Sequence, residues 1–190
     1  MCGIAGYIGS RPPAEGEIAR AQSWMRHRGP DDLGIYRHEF ADGHSVVLLH
    51  TRLSILDVSS RAAQPFRRRK KVLCYNGEIF NYRELRQELL CRGLQFQTES
   101  DTEVLARWLE NDGSDALDSC EGMWAFAFYD EADGSLLLSR DRFGEKPLYL
   151  HRTTHGIYFA SEVKLLRAML GREFAPDIAQ LTRYLVNGYK

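Results

Sequence analysis

MWAFAFYD, residues 123–130, indicates how the layers of this chain are arranged. Seven apolar residues follow one another here, without the polar alternation of a half-exposed strand. A strand of this composition is apolar on both faces and must be covered on both sides. We therefore expect it in a sheet that packs against a second sheet, with helices outside the pair.

The neighbouring sequence predicts further strands that pair as hairpins. Asp42-Gly43 and Asp133-Gly134 are turn dipeptides between apolar runs, a pattern typical of antiparallel strand pairs. The predicted strands span residues 3–9, 35–40, 45–56, 71–80 with a break at Asn76-Gly77, 123–130, 135–140, 147–152 and 157–160.

Helical patterns lie between and after these strands. Asn81 with Glu84, and Ser100 with Glu103, have the spacing of N-terminal capping boxes. The predicted helices span residues 14–27, 82–93, 100–112, 162–170 and 177–187, the first with Ile18, Ala21, Trp24 and Met25 on its apolar side. Hairpins with helices outside them indicate an α+β domain layered on antiparallel sheets.

Composition narrows the function classes. A length of 190 residues suits one domain, and a hydrophobic content of 44% is ordinary for a globular protein. The net charge of −1 gives no electrostatic reason to expect nucleic acid or a membrane as a partner. The basic run at 67–71 is predicted to be a solvated loop. No apolar run approaches the ~20 residues of a membrane span, and no signal peptide is evident, so the cytoplasm is the expected location.

The four cysteines lack the spacing of a zinc site, and three of them are expected to be small apolar residues of strand or helix faces, namely Cys74, Cys91 and Cys120. Cys2 is different, because removal of Met1 leaves it with both a thiol and a free α-amine. A thiol has an ordinary pKa of about 8.5 and an α-amine about 7.7–8.0. The amine can therefore take the proton of the thiol, so that one residue supplies nucleophile and base.

A cysteine nucleophile that attacks an amide needs hydrogen-bond donors for the oxyanion. Asn76 offers a side-chain amide and Gly77 an unobstructed backbone N–H, although Asn-Gly between apolar residues is also the commonest hairpin turn. Arg52 interrupts an apolar strand, where it pairs either with an acid of the chain or with a ligand carboxylate. Asp101 is either a helix-dipole partner or, with Glu78, a partner for a ligand ammonium. An amide, an α-carboxylate and an α-ammonium together describe glutamine.

The sequence resembles the N-terminal glutaminase domain of glutamine-dependent asparagine synthetases, which are class II glutamine amidotransferases of the N-terminal-nucleophile hydrolase fold. The matching stretches run in order along nearly the whole chain: MCGIAGYIG, MRHRGPDDLG, TRLSILDVS, AAQPF, YNGEIFNYRELR, TESDTEVL, CEGMWAFAFYD, SRDRFGEKPLYL and FASEVKLL. The resemblance implies a four-layer αββα sandwich of two antiparallel sheets, with residues 1–190 as the amidotransferase domain and about 177–190 leading into a linker.

The resemblance also implies roles for the residues already singled out. Cys2 is implied as the nucleophile with its amine as base, and Asn76 with Gly77 as the oxyanion hole. Arg52 is implied to bind the carboxylate of L-glutamine. Glu78 and Asp101 are implied to bind its ammonium. The stretch at 53–56 is expected to line the pocket with backbone groups, and RHRGPDD to form a structural or pocket-closing loop.

The chain departs from the asparagine synthetases in one respect. It contains no Gly-Gly pair and no P-loop pattern, so we expect no ATP-binding synthetase domain here and no cofactor in this chain. ATP and magnesium are implied for a synthetase domain that acts in cis or in trans. Three alternatives stay open: an amidotransferase for another acceptor, a stand-alone glutaminase, and a glutamine-sensing module without catalysis.

Overall fold

The computed structural model describes residues 1–188 and shows nine strands and five α-helices in that range. The strands are β1 (Gly3–Gly9), β2 (Asp32–Glu39), β3 (Ser45–Arg52), β4 (Phe66–Arg68), β5 (Lys71–Ile79), β6 (Gly122–Asp130), β7 (Leu136–Arg140), β8 (Tyr149–Thr153) and β9 (Gly156–Ala160). The helices are α1 (Glu15–Met25), α2 (Tyr82–Cys91), α3 (Asp101–Asp112), α4 (Val163–Leu170) and α5 (Ile178–Asn187). None of the helices in residues 1–188 has the length and apolar character needed to cross a membrane.

The strands form two sheets in which all neighbours are antiparallel. The first sheet has the order β2-β3-β1-β9-β8, and the second has the order β4-β5-β6-β7. The first strand of the chain therefore lies at the centre of the first sheet, next to β3. This pairing brings the N-terminus beside Arg52, the last residue of β3.

Strand β6 has two apolar faces of different shape, as its sequence predicts. Its small residues Ala125 and Ala127 pack between the two sheets, in the same cluster as Leu48 of β3. Its aromatic residues Trp124 and Phe126 pack on the other face against α2 and α3. Small side chains bring the sheets together, while large ones fill the space under the helices.

The outer face of the first sheet is covered by α1 and α4. Ile18 and Met25 of α1 pack with Leu165 and Met169 of α4 over the small side chain of Ala5. The order helices, sheet, sheet, helices makes four layers, and the expected αββα sandwich is confirmed. Trp24, expected on the apolar side of α1, is instead 38% exposed.

Several local predictions are wrong. Asn76-Gly77 does not break a strand, because β5 runs through both residues and pairs them with Ala125 and Trp124 of β6. The predicted strand at 45–56 ends at Arg52, and the chain then leaves the sheet as a loop.

The two capping boxes are also wrong in part. Asn81 stands at the start of α2, but its side chain bonds the backbone of Ser119 and Glu121 instead of the helix. Ser100 does cap α3 by accepting a hydrogen bond from the Thr102 N–H at 3.1 Å. Glu103 turns away and accepts hydrogen bonds from the backbone N–H groups of 97 and 98.

The basic run at 67–71 is not a solvated loop. It contributes to β4 and to the start of β5, with a turn between them. Arg68 pairs with Glu110, and Lys71 pairs with Asp130. These partners lie on α3 and β6, so two members of the run join the second sheet to its own neighbours, while Arg67, Arg69 and Lys70 are exposed.

Candidate active site

A cavity of 220 Å³ lies where the N-terminus meets the ends of β3, β5 and α3. It is smaller than the 300–1,000 Å³ typical of drug-sized ligands and suits a small molecule such as one amino acid. All six residues predicted for the site line it: Cys2, Arg52, Asn76, Gly77, Glu78 and Asp101. The loop after Arg52 adds Leu53, Ile55 and Leu56 to the lining, and the contribution of their backbone groups to substrate binding stays a prediction.

Cys2 is held by its backbone and by its sulfur. The Arg28 Nε donates to the Cys2 carbonyl oxygen at 2.9 Å, and Glu162 accepts from the same guanidinium at 2.8 Å. The Leu53 N–H points at the Cys2 Sγ at 3.4 Å. The segment RHRGPDD is not a loop throughout, because Arg26–Arg28 form a 3-10 helix and Asp32 begins β2. Arg28 has the structural one of its two expected roles, because it fixes the residue that carries the thiol.

The surroundings of Cys2 make its thiol harder to ionise. Burial raises the pKa of the Cys2 thiol, against the opposing effects of the Leu53 N–H, the N-terminal charge and Arg52. A thiol with a raised pKa is protonated at neutral pH and needs a base to become a nucleophile. The site therefore supplies a reason for an amine at this position.

Asn76 carries an unused donor in the cavity. The residue is 1% exposed, and its Nδ2 has no hydrogen-bond partner within the described residues. Leaving a buried amide donor unpaired costs about 1–3 kcal/mol. Next to it, the Tyr75 carbonyl accepts a hydrogen bond from the buried His50 Nε2 at 3.0 Å, which fixes the backbone of β5 at this point.

Gly77 is required by close packing against β6. A Cβ at this position would lie 2.4 Å from the Met123 carbonyl oxygen and 2.8 Å from the Trp124 Cα. Both atoms belong to the backbone and cannot move aside without opening the strand pair. The strand therefore carries a residue without a side chain at the wall of the cavity.

Arg52 is 7% exposed and donates to the carbonyl oxygens of Asp57 and Ser59. Within residues 1–188 it has no carboxylate partner, so an ion pair with one of the chain's own acids does not account for it. The loop carbonyls hold the guanidinium in place without neutralising its charge. An anion that enters the cavity meets that charge.

Asp101 and Glu78 bring negative charge to the same cavity. Asp101 is 5% exposed, and its Oδ2 accepts from the Tyr75 hydroxyl at 2.8 Å and from the Ile79 N–H at 3.1 Å. Burial and the nearby Glu78 raise the pKa of Asp101, while its hydrogen bonds oppose the rise. Glu78 has no ion-pair partner within the described part of the chain. A cation between the two carboxylates would relieve their repulsion.

A family model described as a glutamine amidotransferase domain matches residues 1–190. The chain belongs to this family. The functional class that the sequence resemblance implied is confirmed over the full length of the chain.

Relatives of this amidotransferase domain include two curated enzymes. The chain is 42% identical over 172 residues to asparagine synthetase B (glutamine-hydrolyzing) of Escherichia coli strain K12, covering 87% of the chain and 30% of that enzyme. It is 38% identical over 173 residues to asparagine synthetase (glutamine-hydrolyzing) 1 of Bacillus subtilis strain 168, covering 87% of the chain and 26% of that enzyme. The chain spans less than a third of the length of either relative.

A solved structure shares the fold of the amidotransferase domain. The glutamine phosphoribosylpyrophosphate amidotransferase of Bacillus subtilis superposes with a TM-score of 0.74 at 24% identity, over 92% of this chain and 44% of that one. The likeness confirms the fold of two packed antiparallel sheets.

Some residues of the amidotransferase site have no sequence signal of their own. Tyr75 and Gln64 were missed, yet Tyr75 bonds Asp101 while its own N–H donates to the Gln64 Oε1 at 2.7 Å. Glu162 and Lys146 were missed as well, one behind Arg28 and the other in the cavity wall. Within residues 1–188 no group of three or more His, Cys, Asp and Glu side chains could hold a metal ion.

Proposed function

We propose that this domain hydrolyses L-glutamine to glutamate and ammonia with Cys2 as the nucleophile. The observation that carries the proposal is the unpaired, buried Nδ2 of Asn76 in the same cavity as the Cys2 thiol. An unpaired donor beside a nucleophile is costly in the free enzyme. It becomes useful when an oxyanion forms beside it.

The charges of the cavity match the backbone groups of glutamine. Arg52 binds the α-carboxylate in this proposal, and Glu78 with Asp101 binds the α-ammonium; the support is that all three line the cavity. With both ends held, the side-chain amide of the substrate extends toward Cys2. Such anchoring converts the attack into a step between groups already in contact.

In the proposed reaction the amine of Cys2 takes the proton of the thiol, and the sulfur attacks the amide carbon. The new C–S bond gives a tetrahedral oxyanion, which the Asn76 amide and the Gly77 N–H stabilise. The C–N bond then breaks, and the protonated amine returns its proton to the leaving nitrogen as ammonia departs. Water attacks the resulting γ-glutamyl thioester, which releases glutamate and restores the thiol.

Loss of Met1 is part of the proposal. While Met1 is attached, the nitrogen of Cys2 is a peptide amide and cannot act as a base. Intact-mass spectrometry of the active protein should therefore show a chain that begins at Cys2, and a chain blocked at its N-terminus should release no ammonia.

We propose further that the ammonia serves asparagine synthesis, because the relatives at 38–42% identity are glutamine-hydrolysing asparagine synthetases. The partner is then a synthetase domain, in cis or in trans, which takes ATP and magnesium and converts aspartate to asparagine in the cytoplasm. Residues 1–190 alone should form no asparagine from aspartate, glutamine, ATP and magnesium.

The central experiment measures ammonia release from glutamine by the wild type, Cys2→Ala and Cys91→Ala. Cys91 is an exposed thiol on α2 and serves as the matched control. We expect activity in the wild type and in Cys91→Ala, and none in Cys2→Ala. Cys2→Ala should still bind glutamine, which separates catalysis from sensing. Full activity in Cys2→Ala would exclude the proposed nucleophile.

A further inference from the structure

Lys146 lies buried in the wall of the cavity, near the N-terminus. The residue is 8% exposed, and its Nζ lies 3.4 Å from the Met1 Sδ. Within residues 1–188 no carboxylate lies at salt-bridge distance from it. Burial of an ammonium without a paired anion is energetically unfavourable. The burial of Lys146 therefore indicates that it interacts with a ligand or has a functional role.

The loop that carries Lys146 is fixed by one buried carboxylate. Asp141 is 4% exposed and accepts hydrogen bonds from the backbone N–H groups of Trp124, Phe143, Glu145 and Lys146 at 2.9–3.2 Å. Burial opposes ionisation, but these donors outweigh it and hold the pKa of Asp141 below its usual value. Lys146 is therefore presented to the cavity by a rigid turn rather than by a free loop.

The charges of the cavity show what this lysine balances. Apart from Lys146, Arg52 contributes one positive charge, and Asp57, Glu78 and Asp101 contribute three negative charges. The Asp57 carboxylate accepts hydrogen bonds from the backbone N–H groups of Ser59 and Glu99. A bound zwitterion satisfies Arg52 with its carboxylate and shares its ammonium between Glu78 and Asp101. Negative charge then remains in excess, and Lys146 is the second cationic side chain of the cavity.

Removal of Met1 changes the surroundings of Lys146. The thioether of Met1 is its side-chain contact in the chain before processing, and that contact disappears when Cys2 becomes the first residue. The ammonium remains in the wall of the same cavity that Cys2 lines.

We propose that Lys146 is the cation that shifts Cys2 toward its reactive, singly deprotonated form at neutral pH. This inference rests on the proposed function. A nearby positive charge disfavours the protonated amine and favours the thiolate, so Cys2 loses its first proton at a lower pH. Other charged or titratable groups around Cys2 or in the same cavity are Arg28, Arg52, Asp57, Glu78, Asp101 and Cys74, and Lys146 acts in addition to them.

The test compares Lys146→Met and Lys146→Gln, which remove the charge, with Lys146→Arg, which keeps it. Lys70→Met removes an exposed lysine of the β4–β5 turn and is the matched control. Two readouts are followed from pH 5.5 to 9 on processed protein: kcat/KM for glutamine, and the rate at which iodoacetamide alkylates Cys2, resolved by peptide mass spectrometry.

Both neutral variants should need a higher pH to reach the same rates. We expect a shift of about one pH unit, or roughly tenfold lower alkylation and kcat/KM at pH 6.5, with recovery at high pH. Lys146→Arg and Lys70→Met should follow the wild type. Profiles of the neutral variants that superimpose on the wild type, or that fall equally at every pH, overturn the proposal. Circular dichroism verifies that each variant is folded. If only one of the two neutral variants folds, that variant is enough for the test.

The two proposals fail in different ways. Wild-type protein that releases no ammonia contradicts the hydrolysis, even where the alkylation profile depends on Lys146. If the wild type releases ammonia and the neutral variants of Lys146 have the same pH profile as the wild type, only the role of this lysine is contradicted.

Discussion

Asn76 is the residue at which an energetic cost in the free protein becomes a benefit in the reaction. Its Nδ2 is buried and unpaired within the described residues. Asn76→Ala removes the donor without adding bulk, so the free enzyme loses an unfavourable group while the oxyanion loses a hydrogen bond. We expect kcat to fall by about 10²–10³ with little change in KM. Steady-state kinetics on glutamine measure both, and an unchanged kcat would place the oxyanion elsewhere.

His50 couples the site to pH through stability rather than through catalysis. Burial lowers its pKa from 6.5 to about 4, and its Nε2–H donates to the Tyr75 carbonyl. Above pH 6.5 the residue is neutral in both the folded and the unfolded chain, so its titration does not change the free energy of unfolding. Between pH 6.5 and 4 the unfolded chain takes up the proton more readily, which favours unfolding. The folded state should lose about 3 kcal/mol over this range.

Urea unfolding at pH 7 and pH 4 measures this loss. His50→Gln keeps a donor but does not titrate, so its stability should fall less with pH than that of the wild type. His155→Gln changes an exposed histidine and should retain the full pH dependence. If the free energy of unfolding falls equally between pH 7 and pH 4 in the wild type and in His50→Gln, His50 does not control the acid sensitivity.

The residues of the site divide by the kind of signal that the sequence contains. Cys2, Asn76 and Arg52 are chemically unusual for their positions, and the cavity brings them together as predicted. Tyr75 and Lys146 are not unusual in the sequence, because a tyrosine in an apolar strand and a lysine in a loop are ordinary. Their importance arises from contacts with Asp101 and Met1, which only the fold creates.

Strand β5 is the element in which local and tertiary preferences conflict. Asn-Gly favours a tight turn, yet both residues continue the strand because nine residues of β5 pair with β6. Pairing with a strand that is buried on both faces outweighs the local turn preference. The sequence thus predicts the strand and its chemistry but misplaces a break at the very residues that the site uses.

Gly77→Ala tests how tightly this element is built. The added Cβ would lie 2.4 Å from the Met123 carbonyl oxygen, so the strand pair must open at the cavity wall. We expect a lower melting temperature and loss of glutaminase activity together. Gly16→Ala is the control, because Gly16 lies in the first turn of α1 and a Cβ there meets nothing within 4 Å. Alanine should stabilise that helix by at most about 0.5–1 kcal/mol. Melting temperatures of Gly77→Ala and Gly16→Ala that shift in the same direction would contradict this account.

For the molecule as a whole, the layer order was predictable and the meeting of distant residues was not. Apolar faces on both sides of 123–130, together with the hairpin turns, are enough for two sheets between helices. The site, however, lies where β1, β5 and α3 converge, and their order of packing depends on which strands become neighbours. Strand β1 pairs with β3 and β9, and sequence order alone does not determine those partners.

Helix α5 is the one described helix that contributes nothing to the four layers. None of its residues is buried, and Leu185 and Val186 are 74% and 78% exposed. Deletion of residues 178–190 should therefore leave the melting temperature and the ammonia release of the remaining domain unchanged. It should also reduce self-association, because exposed apolar side chains favour contacts between molecules. Differential scanning calorimetry and light scattering at several concentrations measure the two effects.

Leu165→Ala in the fully buried face of α4 is the contrasting change, expected to cost about 2–5 kcal/mol because it leaves a cavity between α4 and the first sheet. The comparison separates a helix that holds the sandwich together from one that only follows it in the chain. If deletion of α5 lowers the melting temperature as Leu165→Ala does, α5 packs on the domain in solution. The four layers would then be an incomplete description of what stabilises it.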